Sequence, residues 1–231
     1  MSASRIIVAL DFADESSAME LVDRVNPELC RLKIGKELFT RSGPELVRKL
    51  VVQGYDVFLD LKYHDIPNTV AKACKAAADL GVWMLNVHAL GGPAMMAAAR
   101  AALSDNDSPM LIAVTVLTSS SEEDLQAVGI DHSAQQMVER LALLARDQGL
   151  DGVVCSAQEA GVLKSSLGSD FVLVTPGIRL PTDHADDQKR IVSPVDAVKQ
   201  GSDYLVIGRP ITQADDPVQK LLTINSELSR L

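Results

Sequence analysis

Eight short runs rich in β-branched and aliphatic residues punctuate this sequence, at 5–11, 31–35, 56–61, 83–88, 110–117, 152–156, 171–175 and 204–207. Between them lie longer stretches with apolar residues at helical spacing, such as those at 43–53, 68–80, 93–103, 133–148, 156–167 and 194–199. A last one at 216–231 has Asp216 as N-cap and Pro217 in its first turn. Such alternation is the pattern of βα units around a parallel sheet. Gly54, Gly81, Gly149 and Gly201 each follow a helical stretch and precede a strand, where a left-handed C-cap is wanted. Eight strand–helix units in 231 residues predict a (β/α)8 TIM barrel of the α/β class, with 1–231 as one domain. A doubly wound open sheet is the alternative. It would carry a glycine-rich fingerprint at the first strand-to-helix turn, and 9–14 has no glycine.

Charge and cysteine usage narrow the function classes. The 22 basic and 31 acidic residues leave a net charge of −9, with no basic stripe of the kind that tracks a phosphate backbone, so nucleic acid is not expected as a partner. No apolar run approaches the ~18 residues needed to cross a bilayer, and 1–5 runs into the first strand with no apolar segment behind a basic start. A soluble, cytoplasmic protein without a membrane partner is expected. Cys30, Cys74 and Cys155 are odd in number and far apart, which suits small buried hydrophobes better than a disulfide framework or a metal site.

In a barrel of this kind chemistry sits at the C-terminal ends of the strands. Asp11 ends the first, Lys33 lies on the second, and the third runs Asp60-Leu-Lys62-Tyr-His-Asp65. Asp60 and Lys62 are two apart, so an extended chain turns both toward the barrel mouth. With Asp11, Lys33 and Asp65 they form an alternating array of three carboxylates and two ammoniums. Such neighbours hold each other charged, which stores a proton on Lys62 beside a fixed negative charge on Asp60. That suits a reaction in which a carbanion forms and is then protonated. A structural ion-pair cluster is the competing explanation.

The last two strands offer an anion site. Gly208 lets backbone approach a ligand and Arg209 presents a planar fork for phosphate oxygens, while Arg179 and Gln188 lie in the long segment 177–194. A Gly-Arg-Pro sequence is also a plausible turn. The segment 118–133, after the fifth strand, is a second loop longer than connection requires. His88 fits a hydrogen-bonded histidine at the barrel mouth as well as a catalytic one, and Tyr63 and Met84 fit packing.

Taken together these motifs resemble the orotidine 5′-phosphate decarboxylase family over essentially the whole chain. They are Val8-Ala-Leu-Asp11, Lys33-Ile-Gly35, Asp60-Leu-Lys-Tyr-His-Asp-Ile-Pro-Asn-Thr69, Asn86-Val-His-Ala89, Val114-Thr-Val-Leu-Thr-Ser119, Thr175-Pro-Gly-Ile-Arg179 and Val206-Ile-Gly-Arg-Pro210. The Asp-x-Lys-x-x-Asp core is shared with a wider group of phosphosugar decarboxylases and aldol-type lyases; the full set is specific to the nucleotide enzyme. The resemblance implies decarboxylation of orotidine 5′-monophosphate to UMP without a cofactor or metal. It implies that Asp11 and Lys33 bind ribose hydroxyls, Asp60 presses on the substrate carboxylate, and Lys62 protonates C6. Thr118 and Ser119 would meet the base. Arg179, Gln188, Gly208 and Arg209 would hold the phosphate and the closing loop. Asp65 and Thr69 would reach into a partner's site, which makes a homodimer the working unit. Three rivals remain: a metal-dependent phosphosugar decarboxylase or lyase, a Schiff-base aldolase using Lys62, and a silent nucleotide-binding barrel.

Overall fold

A computed structural model describes residues 4–103, 108–179 and 192–231. Eight strands follow in order: β1 (Ile6–Ala9), β2 (Arg31–Gly35), β3 (Val57–Tyr63), β4 (Met84–His88), β5 (Met110–Val114), β6 (Gly152–Val154), β7 (Val172–Thr175) and β8 (Tyr204–Ile207). Each pairs in parallel with the next, and β8 pairs with β1 to close the barrel. The helices that follow them are α1 (Glu15–Val22), α2 (Lys36–Val52), α3 (Pro67–Ala78), α4 (Gly92–Ala101), α5 (Glu122–Ala127), α6 (Ala134–Asp147), α7 (Ala157–Leu167), α8 (Pro194–Lys199), α9 (Arg209–Thr212) and α10 (Pro217–Leu228). Gly54, Gly81, Gly149 and Gly201 all have positive φ, as their place after helices requires. The Asp216 side chain accepts from Gln219 N–H, capping α10.

Side-chain alternation along the strands builds two cores. Ile6, Val8, Val57, Leu59 and Leu85 pack with helix residues such as Ala18, Leu46 and Val70, which is the layer between sheet and helices. Ile7, Phe58, Met84, Ile112 and Val174, one position out of step, form a cluster made of strand residues alone, the barrel interior. At the N-terminal ends of the strands Arg31 is buried under two rings, its guanidinium carbon 4.4 Å from the Trp83 centroid and 5.0 Å from that of Tyr204. Its Nε donates to Asp56 at 3.1 Å and it also donates to the Ser4 carbonyl. This plug closes one end of the barrel. A ligand must enter from the other, where Asp11, Lys33, Asp60 and Lys62 stand.

The helical content exceeds what periodicity alone indicates. The expected helix at 43–53 is the second half of α2, which starts earlier at Lys36 and kinks at Gly43, where φ is 67° and Pro44 restarts the helix. The segment 118–133 is not all loop, because α5 forms inside it on a reciprocal cap between Ser121 and Asp124. Short α9 follows β8 at Arg209, so Gly-Arg-Pro is a helix start as well as a turn. Among the described residues no helix is long and apolar enough to cross a membrane.

Candidate active site

Four charged side chains from three neighbouring strands are linked in series. Leu10 N–H donates to the Lys33 carbonyl, which carries the β1–β2 pairing past the end of β1 and sets Asp11 beside Lys33. Lys33 Nζ lies 3.1 Å from Asp11 Oδ1 and 3.4 Å from Asp60 Oδ2, and Lys62 Nζ lies 2.6 Å from Asp60 Oδ1. Asp11 is two-thirds exposed, whereas the side chains of Lys33 and Asp60 keep only 9% and 12% of their surface. Burial disfavours the charge on Lys33, but the carboxylates of Asp60 and Asp11 outweigh it and raise its pKa. Gly35 leaves room for the chain of charges, since a Cβ there would come within 3.2 Å of Lys33 Nζ.

Asp60 and Lys62 do converge, though not along an extended strand. Lys62 has φ 53° and is the one non-glycine residue with positive φ among the described residues. Pairing with β4 runs Phe58 to Met84 and Leu59 to Leu85, then slips, resuming with Tyr63 opposite Val87. Asn86, fully buried, fills the slip. It accepts from Lys62 N–H at 2.8 Å and donates from Nδ2 to Asp60 Oδ1 at 2.7 Å. Asn86 and Gly35 are site residues to which sequence reasoning gave no role. Their signal lay in the quoted motifs themselves, where Gly35 ends β2 and Asn86 is a polar residue in the middle of β4.

Asp65 is not part of the array within one chain. It is exposed, its Oδ1 accepts from Ile66 N–H at 2.6 Å, and among the described residues no ion pair joins it to Lys33 or Lys62. The array of one chain therefore has two carboxylates and two ammoniums, because the chain turns outward at His64 to begin α3. Thr69, in the first turn of α3, is exposed too.

Two cavities flank Lys33. One of about 280 Å³ is lined by Asp60, Lys62, Thr118 and Ser119 against an apolar wall that includes Val154 and Pro176. The other, about 420 Å³, is lined by Asp11, Arg179, Gly208 and Arg209. Lys33 and Val206 line both. Arg179 is buried and donates from one terminal nitrogen to the Ile178 carbonyl at 2.9 Å, while its Nε has no partner among the described residues. A Cβ at Gly208 would make only ordinary contacts with Ala9 and Asp11, so packing within the protein does not itself demand glycine there. Gln188 lies outside the described residues. A larger cavity of about 510 Å³ lies between α5, α6 and α7, but Glu122, Glu139 and Glu159 line it and no cation does, so an anionic substrate has no reason to settle there.

His88 stands beside the mouth, stacked on His64 with ring centroids 5.6 Å apart. Its Nδ1 accepts from Leu90 N–H at 3.3 Å. Burial, aided by His64, Lys36 and Lys62, pushes its pKa down to about 4, which keeps the ring neutral near pH 7. Tyr63 and Met84 pack in the core. Cys30, Cys74 and Cys155 are free and buried, and burial pushes the thiols of Cys30 and Cys74 up to about 12.

Comparison with known proteins places this arrangement. Residues 4–224 match the model of the orotidine 5′-phosphate decarboxylase / HUMPS family. A protein of Saccharophagus degradans named orotidine 5′-phosphate decarboxylase is 60% identical over 227 residues, covering 98% of this chain and 95% of that one. Its namesake in Shewanella sediminis is 59% identical over 231 residues, 99% of each chain. The crystal structure of orotidine 5′-phosphate decarboxylase from Lactobacillus acidophilus superposes with a TM-score of 0.86 at 39% identity, covering 96% of this chain and 97% of that one. The chain belongs to the orotidine 5′-phosphate decarboxylase / HUMPS family.

Proposed function

We propose that the protein decarboxylates orotidine 5′-monophosphate to UMP, and that the linked charges at the barrel mouth do the chemistry. The observation that carries this is the pair of cavities sharing Lys33, which suits a ligand with a reacting ring at one end and a phosphate at the other. The base enters beside Thr118 and Ser119 with its carboxylate toward Asp60. Asp11 and Lys33 bind the ribose hydroxyls. Arg209 and Arg179, with Gly208 and Gln188, serve the phosphate end.

In the chemical step the C6–carboxylate bond breaks, CO₂ leaves, and its electron pair stays on C6. Lys62 Nζ then donates a proton to C6 and recovers one from solvent. Two carboxylates about 4 Å apart repel by roughly 4 kcal/mol at an effective dielectric of ~20. Enzymes commonly lower barriers by ~8–23 kcal/mol, so repulsion from Asp60 is a minor contribution. The larger share falls to the Lys62 charge, fixed beside the developing carbanion, and to phosphate and ribose contacts whose binding energy is used at the reacting carbon. No cofactor takes part in this scheme.

Asp65 and Thr69 act across a homodimer interface in the same proposal. Residues 64–69 are all exposed, and Ile66 among them is an apolar side chain 67% accessible, which suits a surface that a second copy covers. We also assign the enzyme to the cytoplasm, with the three unpaired cysteines in support, and take 1–231 as one folding unit, supported by the β8–β1 pairing that joins its two ends.

Loss of substrate absorbance on adding orotidine 5′-monophosphate in the presence of a chelator tests the activity. Turnover unaffected by chelator is expected. Turnover that needs added divalent metal favours the metal-dependent lyase, and borohydride trapping of substrate on Lys62 favours the aldolase.

A further inference from the structure

We infer that Asn86 is a positioning residue for this reaction: its amide holds the left-handed turn that presents Lys62 Nζ to Asp60 and, through it, to the substrate. The role of Lys62 as proton donor is that of the proposed function, on which this inference rests. Three observations meet at one side chain. Lys62 is alone among the described non-glycine residues in having positive φ, a conformation that L-residues other than glycine, asparagine and aspartate seldom adopt. The β3–β4 register slips between Leu59 and Tyr63, which strips Lys62 N–H of a strand partner. Asn86, with no exposed surface, accepts that N–H at 2.8 Å and donates to Asp60 Oδ1 at 2.7 Å.

The amide orientation follows from its partners. A backbone N–H can only donate, so Oδ1 faces Lys62 and Nδ2 is left for the carboxylate. Asp60 Oδ1 thus receives Lys62 Nζ and Asn86 Nδ2 together, which fixes both ends of the Asp60-x-Lys62 turn. Asn supplies donor and acceptor without charge at this length. Ionised Asp supplies only acceptors, and alanine neither. Asn86 touches no substrate in this scheme and acts through Lys62.

The Asn86→Asp and Asn86→Ala variants test this by steady-state decarboxylation of orotidine 5′-monophosphate from pH 5 to 8.5, each rate divided by that of the wild type at the same pH. Position 86 is faced by Asp60 and Lys62 from β3, with Lys33 behind Asp60, and by His88 along its own strand; the β5 residue opposite it is the apolar Ile112. Asn86→Ala adds no ionisable group and so serves as the control, while the ratio for Asn86→Asp reports the new carboxyl together with its coupling to Asp60 and Lys62. Asn86→Ala is expected to lower kcat about 100-fold at every pH, with KM within about threefold, as befits a misplaced donor and an intact phosphate site. Asn86→Asp is expected to be as slow at pH 8 and to regain activity toward pH 5, because its protonated carboxyl restores a donor to Asp60 and an acceptor for Lys62 N–H. A flat ratio for Asn86→Asp, an Asn86→Ala enzyme with wild-type kcat, or an Asn86→Asp protein that folds at no pH overturns the inference. An inactive wild type overturns the decarboxylase reading itself, and the positioning role with it.

Discussion

Lys33 spans two carboxylates, its ammonium 3.1 Å from Asp11 and 3.4 Å from Asp60, so it stands between the two cavities that the proposed function gives to the reacting ring and to the sugar phosphate. Replacing it with alanine removes the cation that offsets Asp60 and, in the proposed function, a ribose contact at once. Lys33→Ala is expected to lower kcat/KM by at least about 10²-fold, a fall that initial rates at low substrate will measure. An unchanged kcat/KM would remove Lys33 from the substrate site.

At the other end of the second cavity, Arg209 is assigned to the phosphate. Arg209→Ala is expected to raise KM by ~10- to 100-fold, the effect of losing a charged hydrogen bond, with a smaller fall in kcat. The phosphate-free nucleoside gives the control: Arg209→Ala and wild type should process it equally slowly. A variant equally impaired on both substrates would contradict the assignment.

The neutral state of His88 makes stability depend on pH. Its pKa is 6.5 when unperturbed and about 4 in the fold, so between those values the unfolded chain binds a proton that the native protein does not. The His88 contribution is therefore present above pH 6.5 and is lost as pH falls through 4. Urea denaturation at pH 7.0 and pH 4.5 should show a larger acid-induced loss for wild type than for His88→Gln. Equal losses would mean that His88 titrates normally.

Asp65 stands apart from the charges of its own chain, and the dimer proposal gives it work in another. Lys62→Ala and Asp65→Ala, each inactive alone, should recover activity when mixed under exchange conditions. Random reassortment into two-fold dimers restores one intact site in half of them, or about a quarter of wild-type activity. No recovery despite demonstrated exchange would show that Asp65 does not act across the interface.

Much of this was legible in the chain because strand alternation and glycine caps are local signals. The barrel, its closing helix at Asp216, and the placing of Asp11, Lys33 and Asp60 at the ends of neighbouring strands follow from such signals. The turn at Lys62 was not legible, since the group that stabilises it, Asn86, comes from the next strand and no local propensity encodes it. The helix at 122–127 had its signal in the Ser121–Asp124 cap, but it buries only Leu125 and so lacks an apolar stripe. The first half of α2 was hidden for the opposite reason: Gly43 and Pro44 read as a helix start, although the helix enters them from Lys36 with no side-chain cap. The outward turn that separates Asp65 from the array depends on where α3 begins, at Pro67.

The central claim, that Lys62 protonates the carbanion, is tested most directly by kcat of Lys62→Ala on orotidine 5′-monophosphate with chelator present, alongside its affinity for UMP. A fall in kcat of more than about 10⁴-fold is expected, with UMP bound through the phosphate site. A Lys62→Ala enzyme that binds UMP and keeps near-wild-type kcat would contradict it.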